Sequence, residues 1–493
     1  MVITSAAMNR KHEELLIEIA DQAMIDKGLE PRFNKEVRQQ VDGLRAAARP
    51  DDPSVRDMRA LGWCSIDNDD SRDLDQLTWA DDAGNGKVRI FIAVADVDAL
   101  VKKNTPIDRH AQKNTTSVYT AAKIFPMLPE ELSTDLTSLN EGEDRVALVI
   151  EMTVDEEGHT GDEDVYLALV HNQAKLAYDR VAAWLDGVDG EPEKVTRVPG
   201  LADSLRLQDR TADRMRELRH EQGALDLETI EARPVFENGQ VVDLRQAKRN
   251  NARMLIEDFM IAANGVTARF LAAHKFASIR RVVRSPERWD RIERIAADLG
   301  DRLPPEPDPR ALEEFLLRRK KIDPTSFPDL SLSIVKAMGA GEYVVEQPGD
   351  TPMGHFGLAV KDYTHSTAPN RRYPDLLTHR LVKAALHKQP SPYSSDELTM
   401  LAEHCTQQED AANKVERQVR KSAAAYMLSS RIGQSFDAIV TGASAKGTWV
   451  RIFKPPVEGK VVRGSEGLDI GDRTHVKLMG VDVERGFIDF ARK

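Results

Sequence analysis

The stretch Ser65-Ile-Asp-Asn-Asp-Asp-Ser-Arg-Asp-Leu-Asp-Gln-Leu77 packs Asp67, Asp69, Asp70, Asp73 and Asp75 into nine positions. Carboxylates this close repel one another, and a bound cation relieves the repulsion. Hard divalent ions such as Mg²⁺ and Ca²⁺ take oxygen ligands of this kind. A solvated acidic loop is the plain alternative for any acidic run, and two features count against it. Ile66, Leu74 and Leu77 place apolar side chains in the run, and a strand pattern, Val88-Arg-Ile-Phe-Ile-Ala-Val-Ala95, follows the turn Asp81-Asp-Ala-Gly-Asn-Gly86. An EF-hand calcium loop is excluded. The position that needs glycine holds Arg72, and the position that needs a bidentate Glu holds Thr78.

The chain around this stretch has 493 residues, enough for two or three domains. Its 41% hydrophobic and 30% charged residues are ordinary for a soluble globular protein. No apolar run reaches membrane-spanning length, and the first residues offer no signal-peptide core. Two distant cysteines, Cys64 and Cys405, fit a reducing cytoplasm and no disulfide or zinc framework. A net charge of −12 argues against a polyanionic partner for the surface as a whole. It does not exclude nucleic acid threaded into a channel, where only the lining has to be positive.

Periodicity predicts helices over Asn9–Met24 and Asn34–Ala48, with a breaker-rich linker, Arg49-Pro-Asp-Asp-Pro-Ser54, after them. Either a small helix-turn-helix-like unit or a helical pair bracing the next domain fits this segment. Strands are expected at Arg145–Val154 and Asp164–Ala177. Helices are expected at Ser204–Gln222, Asn250–His274, Pro286–Leu299, Tyr373–His387 and Ser395–Ile432. From Gly433 the pattern changes to five short strands in about 60 residues, which suggests an OB barrel.

The spacing Ile-Asp-x5-Asp-x-Asp, followed by a strand ending Ala-Val-Ala-Asp96, resembles the catalytic signature of the RNase II and RNase R family of exoribonucleases. The resemblance recurs, in family order, at Thr116–Tyr119, Phe125–Ser133, Ser138–Arg145, Lys175–Arg180, Gly223–Leu227, Leu255–Asn264, Gly354–Ala359 and Ala368–Asp375. It implies an α+β fold: a mixed-sheet catalytic domain over 57–432, a helical unit over 1–56 before it and an OB-fold RNA-binding domain over 433–493 after it.

The resemblance also implies roles. Asp67, Asp73 and Asp75 match the family's metal-binding and catalytic aspartates. Where the family has one more Asp, this chain has Gln76, which ligates only through a neutral carbonyl oxygen. Arg371 matches the arginine that clamps the scissile phosphate. Arg372 beside it is either another phosphate contact or a structural ion pair. Tyr178 and Glu257 match residues holding the 3′-terminal nucleotide, in part through its 2′-hydroxyl. Tyr119 matches a stacking tyrosine, and Leu227 stands where many relatives have the opposing aromatic. In the barrel, Gly447-Thr-Trp-Val450 resembles an exposed-aromatic strand, with Trp449 for base stacking, Val450 inward, and Lys446, Arg451 and Lys454 near phosphates. His355 and His365 read as structural, because oxygen-ligand chemistry does not need them.

The expected activity is a cytoplasmic, Mg²⁺-dependent, processive 3′→5′ exoribonuclease that degrades single-stranded RNA to nucleoside 5′-monophosphates. No membrane association and no small-molecule cofactor apart from the metal are expected. An RNA-binding protein with a decayed nuclease centre is the alternative. Gln76 favours it, while retention of Asp67, Asp73, Asp75, Tyr178, Glu257 and Arg371 opposes it.

Overall fold

The computed structural model describes residues 5–50, 52–228, 232–237, 240–246, 249–444 and 447–493. Two helices open the chain, α1 (Ser5–Asp26) and α2 (Lys35–Gly43). Ala20, Ala23 and Met24 of α1 bury themselves against Val118, Val415 and Val419. Asn34 caps α2 by accepting from the Val37 N–H at 3.0 Å. This helix stops at Gly43, short of the expected Ala48. Both helices pack on the body of the molecule, as a bracing pair would.

A seven-stranded sheet forms the centre. Its strands are β1 (Arg56–Asp57), β2 (Cys64–Asp67), β3 (Gln76–Gly84), β4 (Lys87–Ala95), β7 (Asp144–Val154), β8 (Thr160–His171) and β9 (Ala174–Ala177), in the order β1-β8-β7-β4-β3-β2-β9. The β1/β8 and β2/β9 pairs are parallel and the others antiparallel, so the sheet is mixed. On β4, Ile90, Ile92 and Val94 join the helical core on one face. Phe91, Ala93 and Ala95 join a cluster around Trp63 on the other. Burial on both faces explains why this strand reads as an unbroken apolar run. Each such Ile or Val contributes about 1.5–3 kcal/mol. The single strand expected over Asp164–Ala177 is two strands. Asn172 turns the chain between them, donating to the Leu139 carbonyl at 2.8 Å and accepting from the Ala174 N–H at 3.1 Å.

Helix α3 (Pro106–Asn114) and a two-stranded turn, β5 (Val118–Tyr119) with β6 (Ile124–Phe125), lie between β4 and β7. After β9 come α4 (Tyr178–Leu185), α5 (Glu193–Thr196), α6 (Leu201–Glu221), the hairpin β10 (Ala232–Glu237) and β11 (Gln240–Gln246), and α7 (Asn251–Ala273). Strand β12 (Ser278–Val282) pairs with β13 (Glu342–Glu346) around three helices: α8 (Trp289–Asp298), α9 (Pro309–Ile322) and α10 (Phe327–Met338). These helices share a cluster built on Trp289, Phe315 and Phe327. Helices α11 (Tyr373–Leu386) and α12 (Ser395–Leu428) complete the body.

The last segment is a closed barrel of β14 (Ser435–Ser444), β15 (Gly447–Ile452), β16 (Val457–Arg463), β17 (Arg473–Asp482) and β18 (Phe487–Arg492). All five expected strands are present. Val440, Val450, Ile452, Leu478 and Phe490 fill it. Gly459 has no room for a side chain, because a Cβ there would meet Phe490 Cε2 at 2.5 Å. Leu428 at the end of α12 enters the barrel cluster, and Arg451 pairs with Asp329 of α10 at 2.6 Å. Among the described residues, no helix is long and apolar enough to cross a membrane.

Candidate active site

The acidic stretch is the connection between β2 and β3, and its two ends are fixed by the sheet. Its interior is fixed by side chains. The Leu74 N–H donates to Ser138 Oγ at 2.9 Å, and that hydroxyl donates to the Arg72 carbonyl at 2.9 Å. Lys175 Nζ donates to the carbonyls of Asp69 and Ser71, at 3.1 and 2.5 Å. Leu74 itself is buried, so the loop is pinned to the core between its carboxylates.

Asp67, Asp73, Asp75 and Gln76 all line one cavity of about 730 Å³. Tyr119, Tyr178, Glu257, Arg371 and Arg372 line it too, so most of the residues picked from sequence converge. Helix α7 supplies Glu257, Ile261 and Asn264; α12 supplies Glu416 and Arg420.

Asp75 is the most deeply placed carboxylate of the acidic loop, with 2% of its surface exposed. Its Oδ1 accepts from the Asn370 N–H at 2.9 Å, and its Oδ2 lies 3.3 Å from Arg371 Nε. Burial pushes the Asp75 carboxyl up to about 7, against the opposing pull of Arg371. Burial, and then the charge of Asp73, push Asp67 up to about 6. Asp73 Oδ2 accepts from the Tyr119 hydroxyl at 3.0 Å. The Tyr119 N–H donates to Glu416 Oε1 at 2.8 Å, which ties this tyrosine to α12.

The donor set fits a hard divalent cation. It is all oxygen, buried Asp75 is held close to half-buried Asp67 and Asp73 against their mutual repulsion, and Asp75 Oδ2, paired with Arg371, accepts no hydrogen bond. Among the described residues, no three Asp, Glu, His or Cys side chains close around one point. Mg²⁺ is commonly held by one or two carboxylates with substrate phosphate and water making up the rest, rather than by an all-protein cage. Gln76 is turned away from that task in part: its Nε2 donates to the Thr367 carbonyl.

Arg372 resolves to the ion pair of its two readings, with Nη2 2.7 Å from the buried Asp375. Glu257 pairs with Arg249 at 3.1 Å. Burial pushes the Tyr178 hydroxyl up to about 12, and the Arg253 guanidinium stacks 4.4 Å from its ring centre. Arg253 also donates to Asn68 Oδ1 at 2.7 Å, linking the tyrosine to the acidic loop. The sequence reading missed Arg253, although its place four residues before Glu257 puts it one helical turn away on the same face.

Two expectations do not hold as stated. Leu227 does not line the cavity; it packs half-buried against the cluster of α8, α9 and α10, because the chain after Gly223 docks there. Arg451 is spent on Asp329 and is not a free phosphate contact. Lys446 lies outside the described residues. Trp449 sits half-buried on the outside of the barrel beside Lys460, whose Nζ is 6.0 Å from its ring centre, while Val450 points inward. His355 and His365 are held neutral by burial, His355 at about 4 and His365 well below its ordinary value, in keeping with structural roles.

Two family models match the chain. Residues 55–388 match the RNB domain, and residues 434–493 match the RNase II-type exonuclease C-terminal S1 domain. The chain is 31% identical to Ribonuclease R of Escherichia coli (strain K12) over 493 residues, covering 92% of this chain and 59% of that protein. It is 30% identical to Ribonuclease R of Thermotoga maritima, covering 93% and 68% of the two chains. The chain thus spans about three fifths of the Escherichia coli relative. The fold superposes on Mycoplasma genitalium RNase R in complex with ribose methylated single-stranded RNA, with a TM-score of 0.87 at 23% identity, covering 97% of this chain and 78% of that one.

Proposed function

The chain belongs to the RNB family of RNase II and RNase R type, and from that premise we propose that it is a hydrolytic 3′→5′ exoribonuclease. Its substrate is single-stranded RNA, its products are nucleoside 5′-monophosphates and its cofactor is Mg²⁺, in the cytoplasm. The observation that carries the reading is the convergence of Asp67, Asp73, Asp75 and Arg371 with Tyr178 and Glu257 in one cavity.

Asp67, Asp73 and Asp75 would hold the metal, with the Gln76 carbonyl oxygen as a neutral fourth donor. When bound, the metal supplies charge neutralisation at the phosphate and lowers the pKa of an attacking water. Arg371 directs a guanidinium at the scissile phosphate, where its fork suits charge spread over several oxygens. The Asn370 N–H and Arg371 Nε hold Asp75 in place. Tyr178, braced by Arg253, packs against the terminal nucleotide, and Glu257 accepts from its 2′-hydroxyl. Tyr119 stacks on a base, Arg420 contacts the backbone, and Trp449 with Lys460 gathers RNA outside the cavity. Leu227 takes no part. Domain limits of 1–56, 57–432 and 433–493 belong to the same proposal.

End-labelled single-stranded RNA and DNA of one sequence, incubated with Mg²⁺ and with chelator, test it. RNA is expected to yield labelled nucleoside 5′-monophosphate only with metal, and DNA to survive. Comparable rates on the two polymers would sink the ribose contact, and no monophosphate from RNA would sink the activity.

A further inference from the structure

On the face of α7 next to the one that lines the catalytic cavity lies a second cavity of about 680 Å³. Its walls come from α6, the β7–β8 turn, the segment Ala359–Asp362 and Arg310 at the start of α9. Ile261 lines both cavities. Neighbouring residues divide between them: Asn264 and Tyr363 line the catalytic side, Gly265 and Asp362 the other. Ile261 thus forms part of the wall of each cavity.

The second cavity has mixed polar and apolar walls and carries more cations than anions. Arg219, Arg269, Arg310 and Lys361 face Asp258 and Asp362. Asp258 is taken up by Arg216 and Arg219, and Arg269 pairs with Glu163. Arg310 and Lys361 are exposed, which leaves positive charge toward the solvent side. The volume lies within the range of small-molecule sites, roughly 300–1,000 Å³.

We propose that this cavity is the outlet for the nucleoside 5′-monophosphate, with Ile261 as the movable partition. The inference rests on the exoribonuclease reading above. RNA fed into the catalytic cavity 3′ end first fills the path by which it came. Successive cleavages without dissociation therefore require each product to leave elsewhere. A monophosphate carries about −1.5 to −2 charges at neutral pH, so it is drawn to a positive outlet, and Arg310 and Lys361 supply one.

Ala262 lines the second cavity and not the first. Ala262→Trp therefore plugs the outlet, and Arg310→Glu reverses charge there. RNA is bound without metal, Mg²⁺ is added, and rapid quenching separates the first cleavage from later ones. First cleavage is expected within about twofold of wild type. Later cleavages are expected to slow about tenfold or more in Ala262→Trp and about threefold in Arg310→Glu, as release becomes limiting. Later cleavages at the wild-type rate in a folded Ala262→Trp would overturn the outlet, and so would equal slowing of first and later steps. If Ala262→Trp fails to fold, unchanged later steps in Arg310→Glu overturn it instead. Failure of the wild type to produce monophosphates refutes the exoribonuclease reading itself, and is seen without either variant.

Discussion

The backbone N–H of Asn370 donates to Asp75 Oδ1 at 2.9 Å, so the segment that ends in Arg371 also holds the deepest carboxylate of the acidic loop. The two parts are 295 positions apart in sequence and are joined by this hydrogen bond. That segment is itself anchored: the Ser117 N–H donates to the Arg371 carbonyl at 2.9 Å, and the Tyr373 N–H to the Thr115 carbonyl at 2.8 Å.

Asp75→Asn keeps the side chain's size and removes its charge. Single-turnover cleavage should fall by on the order of a thousandfold or more, as expected for losing a metal ligand or transition-state contact. RNA affinity, set by backbone and stacking contacts, should change by less than about threefold. Cleavage within about tenfold of wild type, equivalent to 1.4 kcal/mol, would remove this loop from the catalytic centre.

The same substitution should stabilise the metal-free protein at high pH. Burial raises the folded carboxyl of Asp75 to about 7, above the unfolded value of about 3.9. A raised folded pKa contributes stability that is present below about pH 4 and is lost as pH rises through about 7. The metal-free variant should therefore exceed wild type at pH 8 by on the order of 1–4 kcal/mol, with the difference vanishing near pH 4. Denaturant melts in chelator at both pH values check it. A variant no more stable than wild type at pH 8 contradicts the strained carboxylate.

Tyr119→Phe retains the ring and loses the hydroxyl that donates to Asp73 Oδ2. The Mg²⁺ concentration for half-maximal cleavage should rise about tenfold, the lower range for loss of a group that orients a ligand. RNA affinity should hold, because the aromatic face remains. An unchanged Mg²⁺ dependence means that this hydrogen bond does not order Asp73.

Gln76→Asp should move two measurements in opposite directions. A carboxylate here adds charge toward the metal and should lower the half-maximal Mg²⁺ concentration. It cannot donate to the Thr367 carbonyl as Gln76 does. The metal-free protein should therefore lose about 1–3 kcal/mol of stability. A metal titration of cleavage and a melt in chelator separate the effects; no change in the first would leave Gln76 outside the metal's reach.

Trp449→Ala should weaken RNA binding by about 1–3 kcal/mol, the worth of one stacked base. Cleavage of bound RNA at saturating enzyme should be unaffected. A slowed single-turnover rate with unchanged affinity would make the barrel part of the catalytic unit.

What the sequence made legible was local or dense. Asp67, Asp73 and Asp75 lie on one short loop, and β4 declares itself by an apolar run flanked by turn residues. Helix α9 was legible in principle, since Leu312, Phe315 and Leu316 follow helical spacing, but the prolines before it masked the start. What escaped depends on distant pairing. Arg253 gains meaning only when Tyr178 arrives beneath its guanidinium. Leu227 and Arg451 were placed by motif position, and each is captured instead by a neighbour far away in sequence, the α8–α10 cluster for one and Asp329 for the other.

Helix α12 runs for 34 residues, about 51 Å at 1.5 Å per residue, with neither Gly nor Pro inside it. Glu409 and Glu416 grip Arg281 and the Tyr119 N–H, and Leu428 at the far end is planted in the barrel. It acts as a lever arm: a tilt of about 5° about one end displaces the other by roughly 4 Å, more than the width of a hydrogen bond. The placement of the barrel on the body is thus governed by the bending stiffness of one rod, and by the Arg451–Asp329 stay that ties the barrel to α10.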